Sequence, residues 1–178
     1  MTKLLRYLLP VLLAAALTAC GDDSEFYYTT SYPVVRIDAS VTIEEQTPPV
    51  SGGGTEGGET TENPLIQQIA DDVTGKAPVQ AGGSYDLAFK YFSSGRLTVR
   101  TSADGEVLSG GFEKEPGSDV LHFYFGDTDY ACTASTYTTD EGTAATLLTA
   151  DLTRTYQTLY PDANITKVLR QEYTSHQD

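Results

Sequence analysis

Few side chains in this 178-residue sequence have the type and spacing that chemistry requires. Only His122 and His176 could act as an imidazole base. His122 lies within Leu121-His122-Phe123-Tyr124-Phe125, on the opposite strand face from Leu121 and Phe123, and reads as a surface or edge histidine. His176 lies near the C-terminus, where chains usually fray. No Gly-x-Ser-x-Gly elbow is present, so a nucleophilic triad has no support. With 25 acidic residues, some carboxylate pair can always be found, so a pair alone carries no signal. Asp127-Thr128-Asp129 follows Gly126 and offers hard oxygen ligands in a turn. The rest of a calcium loop is missing, so a solvated turn is the favoured reading of Asp127 and Asp129 over a metal site. Gly52-Gly53-Gly54 and Gly57-Gly58 have no lysine and no flanking strand and helix, which excludes a phosphate loop. No catalytic residue is assigned, and no cofactor is expected.

The remaining reactive residues are Cys20 and Cys132. Cys20 closes an N-terminal segment of three parts. Lys3 and Arg6 form a basic start, Leu8 to Ala16 form an apolar run broken by Pro10, and Leu17-Thr18-Ala19 leads to the cysteine. These are the parts of a secretory signal. The run is too short to cross a hydrocarbon core, which takes about 20 apolar residues. Leu17-Thr18-Ala19-Cys20 resembles the bacterial lipobox. The resemblance implies that Cys20 receives a diacylglycerol and becomes the first residue of the mature chain, with residues 1–19 removed. Several acyl chains give stable anchoring where one would be marginal. Gly21-Asp22-Asp23-Ser24-Glu25 resembles the acidic tether of Bacteroidota surface lipoproteins, which implies export to the outer leaflet; a periplasm-facing anchor is the alternative. An ordinary cleavage after Ala16 is the competing reading.

Loss of Lys3 and Arg6 leaves 9 basic against 25 acidic residues, a side-chain charge of −16. Such a chain repels nucleic acid, whose binding needs a basic face. With Cys20 acylated, Cys132 has no disulfide partner. It sits in Tyr130-Ala131-Cys132-Thr133-Ala134 and reads as a small buried hydrophobe. Phe26, Tyr27, Tyr28 and Tyr32 cluster after the tether and form the candidate binding residues, because Tyr carries one apolar and one wet end. Packing on the edge of the domain is the competing reading.

The elements that must position these residues follow from periodicity. Val35, Ile37, Ala39, Val41 and Ile43 alternate with polar residues and predict a strand with one buried face. Residues 44–62 are Gln, Thr, Pro, Ser, Gly and Glu with almost nothing apolar, and read as a disordered insertion. Asn63-Pro64 starts a short amphipathic helix that Gly75 ends. Alternating runs separated by turns predict strands near 85–91, 97–100, 106–112, 120–125 and 130–137. Gly110-Gly111 suggests a bulge. Asp140 could cap a second helix carrying Ala144, Ala145, Leu148, Leu152, Tyr156 and Leu159. A last strand runs from Ile165 to about Thr174.

The expected fold is therefore α+β, an antiparallel meander sheet with two helices on one face. Residues 20–32 form the lipidated tether and residues 33–178 a single domain. The expected role is a membrane-anchored lipoprotein acting as a non-enzymatic binding or accessory module at the cell envelope. Its partners would be the lipid bilayer, through the acyl anchor, and an envelope protein or extracellular ligand. Two other readings are a carboxylate-based hydrolase and a structural subunit that pairs through an edge strand at residues 34–43.

Overall fold

The computed structural model describes residues 28–44 and 63–175. The strands are β1 (Tyr28–Ile43), β2 (Ser84–Tyr91), β3 (Ser94–Arg100), β4 (Val107–Lys114), β5 (Val120–Phe125), β6 (Thr128–Thr138), β7 (Ala144–Asp151) and β8 (Ile165–Thr174). The helices are α1 (Pro64–Gly75), between β1 and β2, and α2 (Thr153–Leu159), between β7 and β8. The eight strands pair in sequence order and close into a barrel, each antiparallel to its neighbour. Short turns dictate that order, since antiparallel strands can be joined by a few residues. Gly126 in the β5–β6 turn and Gly142 in the β6–β7 turn have φ of 54° and 79°. This left-handed region suits glycine.

Closure depends on β1. Its first part pairs with β2, from Tyr28 opposite Phe89 to Pro33 opposite Ser84. Its second part pairs with β8, from Val34 opposite Thr174 to Ile43 opposite Ile165. The register shifts between Val34 and Arg36, leaving Val35 extra and exposed. A bulge bends a strand and increases its twist. That bend lets one strand leave β2 and reach β8. The alternating apolar set Ile37, Ala39, Val41 and Ile43 then faces the β8 residues that point inward.

This architecture corrects the α+β expectation. The meander exists, but it closes on itself, and the helices lie on no sheet face. Both helices sit at one end of the barrel. There Ile69 and Val73 of α1 pack with Tyr156 of α2 and with Ile165 and Val168 of β8. The Tyr156 hydroxyl donates to Asp72 Oδ2 at 2.7 Å and ties the two helices together. The physical reason is distribution of apolar surface. The outward residues, such as Thr98, Glu113, Thr133, Lys167 and Gln171, are mostly polar, so the wall offers helices little to cover.

The second predicted helix is also corrected. Residues 144–151 form strand β7, and only Thr153–Leu159 is helical. Thr146 and Thr149 are β-branched and favour a pleated strand. Asp140 lies in the β6–β7 turn and caps nothing helical. The N-cap is Leu152, and the residue before it, Asp151, accepts from Thr153 N at 2.9 Å through Oδ1. Helix α1 matches its sequence signals. Asn63 accepts from Leu65 N at 3.0 Å, and Pro64 begins the helix.

Gly110-Gly111 makes no bulge, since β4 pairs with β3 and β5 in unbroken register. Gly110 instead permits close approach: a Cβ there would lie 1.9 Å from the Tyr124 carbonyl oxygen. Gly110→Val should therefore force β4 and β5 apart and destabilise the protein by about 3 kcal/mol. Urea unfolding reads this directly, and an unchanged midpoint would refute the close contact.

Candidate functional site

The barrel interior is lined unevenly. On β2 to β5 the inward side chains are large, among them Leu87, Phe89, Phe112, Phe123 and Phe125. On β6, β7 and β1 small residues, among them Cys132, Ala134, Ala150 and Ala39, alternate with larger ones such as Tyr130, Leu148 and Ile37. Among these residues β8 places two charged ones, Arg170 and Glu172, with exposures of 6% and 2%. Strand alternation explains their position, because Val168, Arg170, Glu172 and Thr174 share one face and all four are buried. Arg170 lies opposite Ala39 on β1 and Ala150 on β7; Glu172 lies opposite Ile37 and Leu148.

Arg170 Nε lies 2.8 Å from Glu172 Oε1. The Nε–Oε1 contact is an ion pair more than a directed hydrogen bond, and the Tyr85 hydroxyl also acts on the carboxylate. The Arg170 guanidinium also lies over the Tyr130 ring, 4.9 Å from its centroid. The Tyr130 hydroxyl donates to the Tyr85 hydroxyl, and the Tyr85 ring stacks on Phe123 at 5.0 Å. A polar chain thus crosses an otherwise apolar barrel from β6 through β2 to β8.

Burial governs the titration of the acidic groups Glu172, Tyr85, Tyr130 and Cys132. It raises the Glu172 pKa above the usual carboxylate value, against the pull of Arg170 and the Tyr85 hydroxyl. Burial holds Tyr85 and Tyr130 far above the ordinary phenol value, and the Glu172 charge adds to both. Cys132 is pushed up to about 12, mainly by burial and then by Glu172, with Arg170 opposing. At neutral pH it is a thiol, which is a poor nucleophile. The cluster is thus a buried cation–carboxylate pair linked to two phenol hydroxyls.

Two surface features lie near this interior. One is an opening of about 210 Å³ where β1 runs past the end of β8, lined by Thr30, Tyr32, Thr136, Thr146 and Thr174. The other is an outer cleft of about 720 Å³ between β1 and the β6–β7 turn. In that cleft Arg36 stacks on Tyr173 at 3.9 Å and meets Asp38 at 3.2 Å. The Tyr137 hydroxyl donates to the Thr174 carbonyl at 2.7 Å. Arg36, Asp38 and Tyr137 in this cleft are thus engaged by their own neighbours.

No family model, no curated protein and no solved structure matches the chain.

Of the residues singled out in the sequence, Cys20, Phe26, Tyr27 and His176 lie outside the described residues. Tyr28 is 50% exposed and stacks on Phe89 at 4.1 Å. Tyr32 is half-buried against the barrel core and lines the opening. The structure brings these two tyrosines to the same barrel end, and both lean on its interior. Asp127 and Asp129 are exposed at the β5–β6 turn. Among the described residues no group of three or more metal-ligating side chains comes together. His122 faces outward, with Nε2 3.0 Å from Glu115 Oε1. Sequence reasoning missed Tyr85, Tyr130, Arg170 and Glu172. A signal was present in β8, where Arg170 and Glu172 fall on the face carrying Val168. The other face, Lys167, Leu169, Gln171 and Tyr173, is no less polar, so period-two alternation did not identify which side was inside.

Proposed function

We propose that this protein is a lipid-anchored binding or accessory module of the cell envelope, tethered through Cys20 and displayed at the outer membrane surface. The single observation that carries the binding reading is the Arg170–Glu172 ion pair enclosed in an otherwise apolar barrel. Burying two charges is costly, and apolar residues of similar volume often serve stability equally well. A recognition role accounts for a polar centre that packing alone does not require. The lipobox resemblance at Leu17-Thr18-Ala19-Cys20 and the acidic residues after it support the location. The outer wall is also compatible with it. Among the described residues no helix is long and apolar enough to cross a membrane. The wall itself carries polar residues outward, the reverse of the apolar-out pattern of a membrane barrel.

The competing readings have less behind them. A two-carboxylate hydrolase needs a pair of acids flanking one bond, and Glu172 is the one buried carboxylate among the described residues. The edge-strand reading looked to residues 34–43, and that stretch is bonded to β8 along one edge. Replacing Cys20 tests the anchor. Cys20→Ala should move the protein from the membrane pellet to the soluble fraction or leave it as uncleaved precursor. A processed variant retained in the pellet to the wild-type extent would reject acylation as the tether.

A further inference from the structure

We propose that the tip of the β2–β3 hairpin is a second contact with the membrane, setting Tyr91 and Phe92 into the lipid interface beside the Cys20 anchor. This rests on the anchored reading and adds the face that the barrel turns to the bilayer. The first support is exposure. Phe92 is 85% exposed and Tyr91 60%, the two most exposed large apolar side chains among the described residues. They are consecutive and stand at a turn, where chains ordinarily place Gly, Asn, Asp or Ser. A single exposed apolar residue needs no explanation, whereas grouped ones mark a contact surface. Tyr28 joins them, half-exposed and opposite Phe89 at the same barrel end.

The second support is where the chain enters. Tyr28 is the first described residue of β1, and seven residues, 21–27, separate it from Cys20. Eight Cα steps span at most about 28 Å. An acylated Cys20 therefore holds the hairpin end of the barrel near the bilayer. The helical end lies beyond Ile43, at the far end of β1.

The third support is charge. The sequence carries a net −14, yet Lys90 to Arg96 holds two cations and no carboxylate. Both cations line a cavity of about 450 Å³ beside the tip, together with Tyr91, Ser94 and Glu113. Two cations against one carboxylate leave one positive charge, which matches the single negative charge of a phosphodiester headgroup. Acidic groups farther away are screened beyond about 8 Å at physiological ionic strength. Lys90 Nζ lies 6.0 Å from the centroid of the Tyr91 ring. Such pairing suits an interface, where aromatic rings sit at headgroup level and lysines reach the polar layer. The other turns at this end carry Glu115 and Asp119, and Asp140 and Glu141. They are acidic, so the barrel leans onto its β1–β3 edge.

The sequence contains no tryptophan, so Phe92→Trp supplies a fluorophore at one known place. The lipidated full chain is reconstituted in phosphatidylcholine vesicles, with and without bromine on the acyl chains. Emission of Phe92→Trp should shift to the blue and fall at least twofold with brominated lipid. Leu159→Trp, at the helical end and 59% exposed, should show neither effect. Val107→Trp replaces it should that variant fail to melt cooperatively. Phe92→Trp/Lys90→Glu should recover at least half of the lost emission, because a carboxylate repels the headgroup phosphate. No shift and no quenching at Phe92→Trp, equal quenching at both barrel ends, or unchanged quenching with Lys90→Glu would overturn the proposal. Vesicle flotation keeps the two ideas apart. A chain that floats without quenching rejects the hairpin contact and leaves the Cys20 anchor standing, whereas a chain that does not float rejects both.

Discussion

Arg170→Met is expected to destabilise the protein by about 3–5 kcal/mol near neutral pH, because it strands the Glu172 carboxylate in the barrel without its cation. Glu172 is 2% exposed, so water cannot take over the role of the guanidinium. The double variant Arg170→Met/Glu172→Leu should recover most of the loss, since an apolar pair of similar volume carries no desolvation cost. The loss should also depend on pH. Burial already raises the Glu172 pKa in the folded state, and Arg170 opposes that rise. Without Arg170 the folded pKa moves higher still. A carboxyl whose folded pKa exceeds its unfolded value contributes stability that is complete below the unfolded pKa. That contribution is lost as pH rises through the folded one. The deficit of Arg170→Met should therefore be larger at about pH 8 than at about pH 5, as the buried acid is then forced to ionise. Thermal melts at both values decide it. A deficit that is equal at both, or grows in acid, would show that the missing charge pair is not the cause.

Phe123→Ala is expected to cost a similar amount, about 3–5 kcal/mol, for a different reason. Phe123 is fully buried, stacks on Tyr85 at 5.0 Å and meets the edge of Tyr130 at 5.5 Å. Its removal leaves a cavity between the two tyrosines whose hydroxyls are bonded to each other. A domain with a typical total stability of about 5–15 kcal/mol loses a large share of it. The urea midpoint should fall accordingly. A loss under about 1 kcal/mol would mean that the aromatic wall collapses to fill the gap, and that the tight packing on this side is less binding than its contacts suggest.

These two variants probe the opposite walls of one barrel, and together they account for its asymmetry. The aromatic wall on β2 to β5 fixes the shape by close packing. On β6, β7 and β1 the lining mixes small and large residues, and Arg170 packs against the Tyr130 ring there. The polar chain from Tyr130 through Tyr85 joins the two. A substitution on the aromatic side should therefore disturb the charged pair through Tyr85, even though Phe123 touches neither charge directly in the polar chain.

Local chemistry was legible in the sequence where a few neighbouring residues decide the outcome. Asn63, Pro64 and Gly75 marked α1 because capping and chain breaking act within one turn of helix. Most strands were legible from alternation and from the turn residues between them, because a meander of short connections leaves little choice of partner. The Thr-rich stretch from residue 144 was not. Its alanines and leucines satisfy a helical period and a strand period alike, and pairing of β7 with β6 and β8 decided between them.

What the sequence determined by itself was the element-by-element grammar: the order of most strands, the first helix and the acidic net charge. Tertiary structure alone decided that the sheet closes. Closure needs β1 to bond two partners at once, and the bulge at Val35 that permits this follows from strand pairing and not from any local pattern. Closure in turn decided which face of β8 is inside. Two charged residues that would solvate readily on an open sheet are instead enclosed, because a barrel has only one interior and every strand must give it a face.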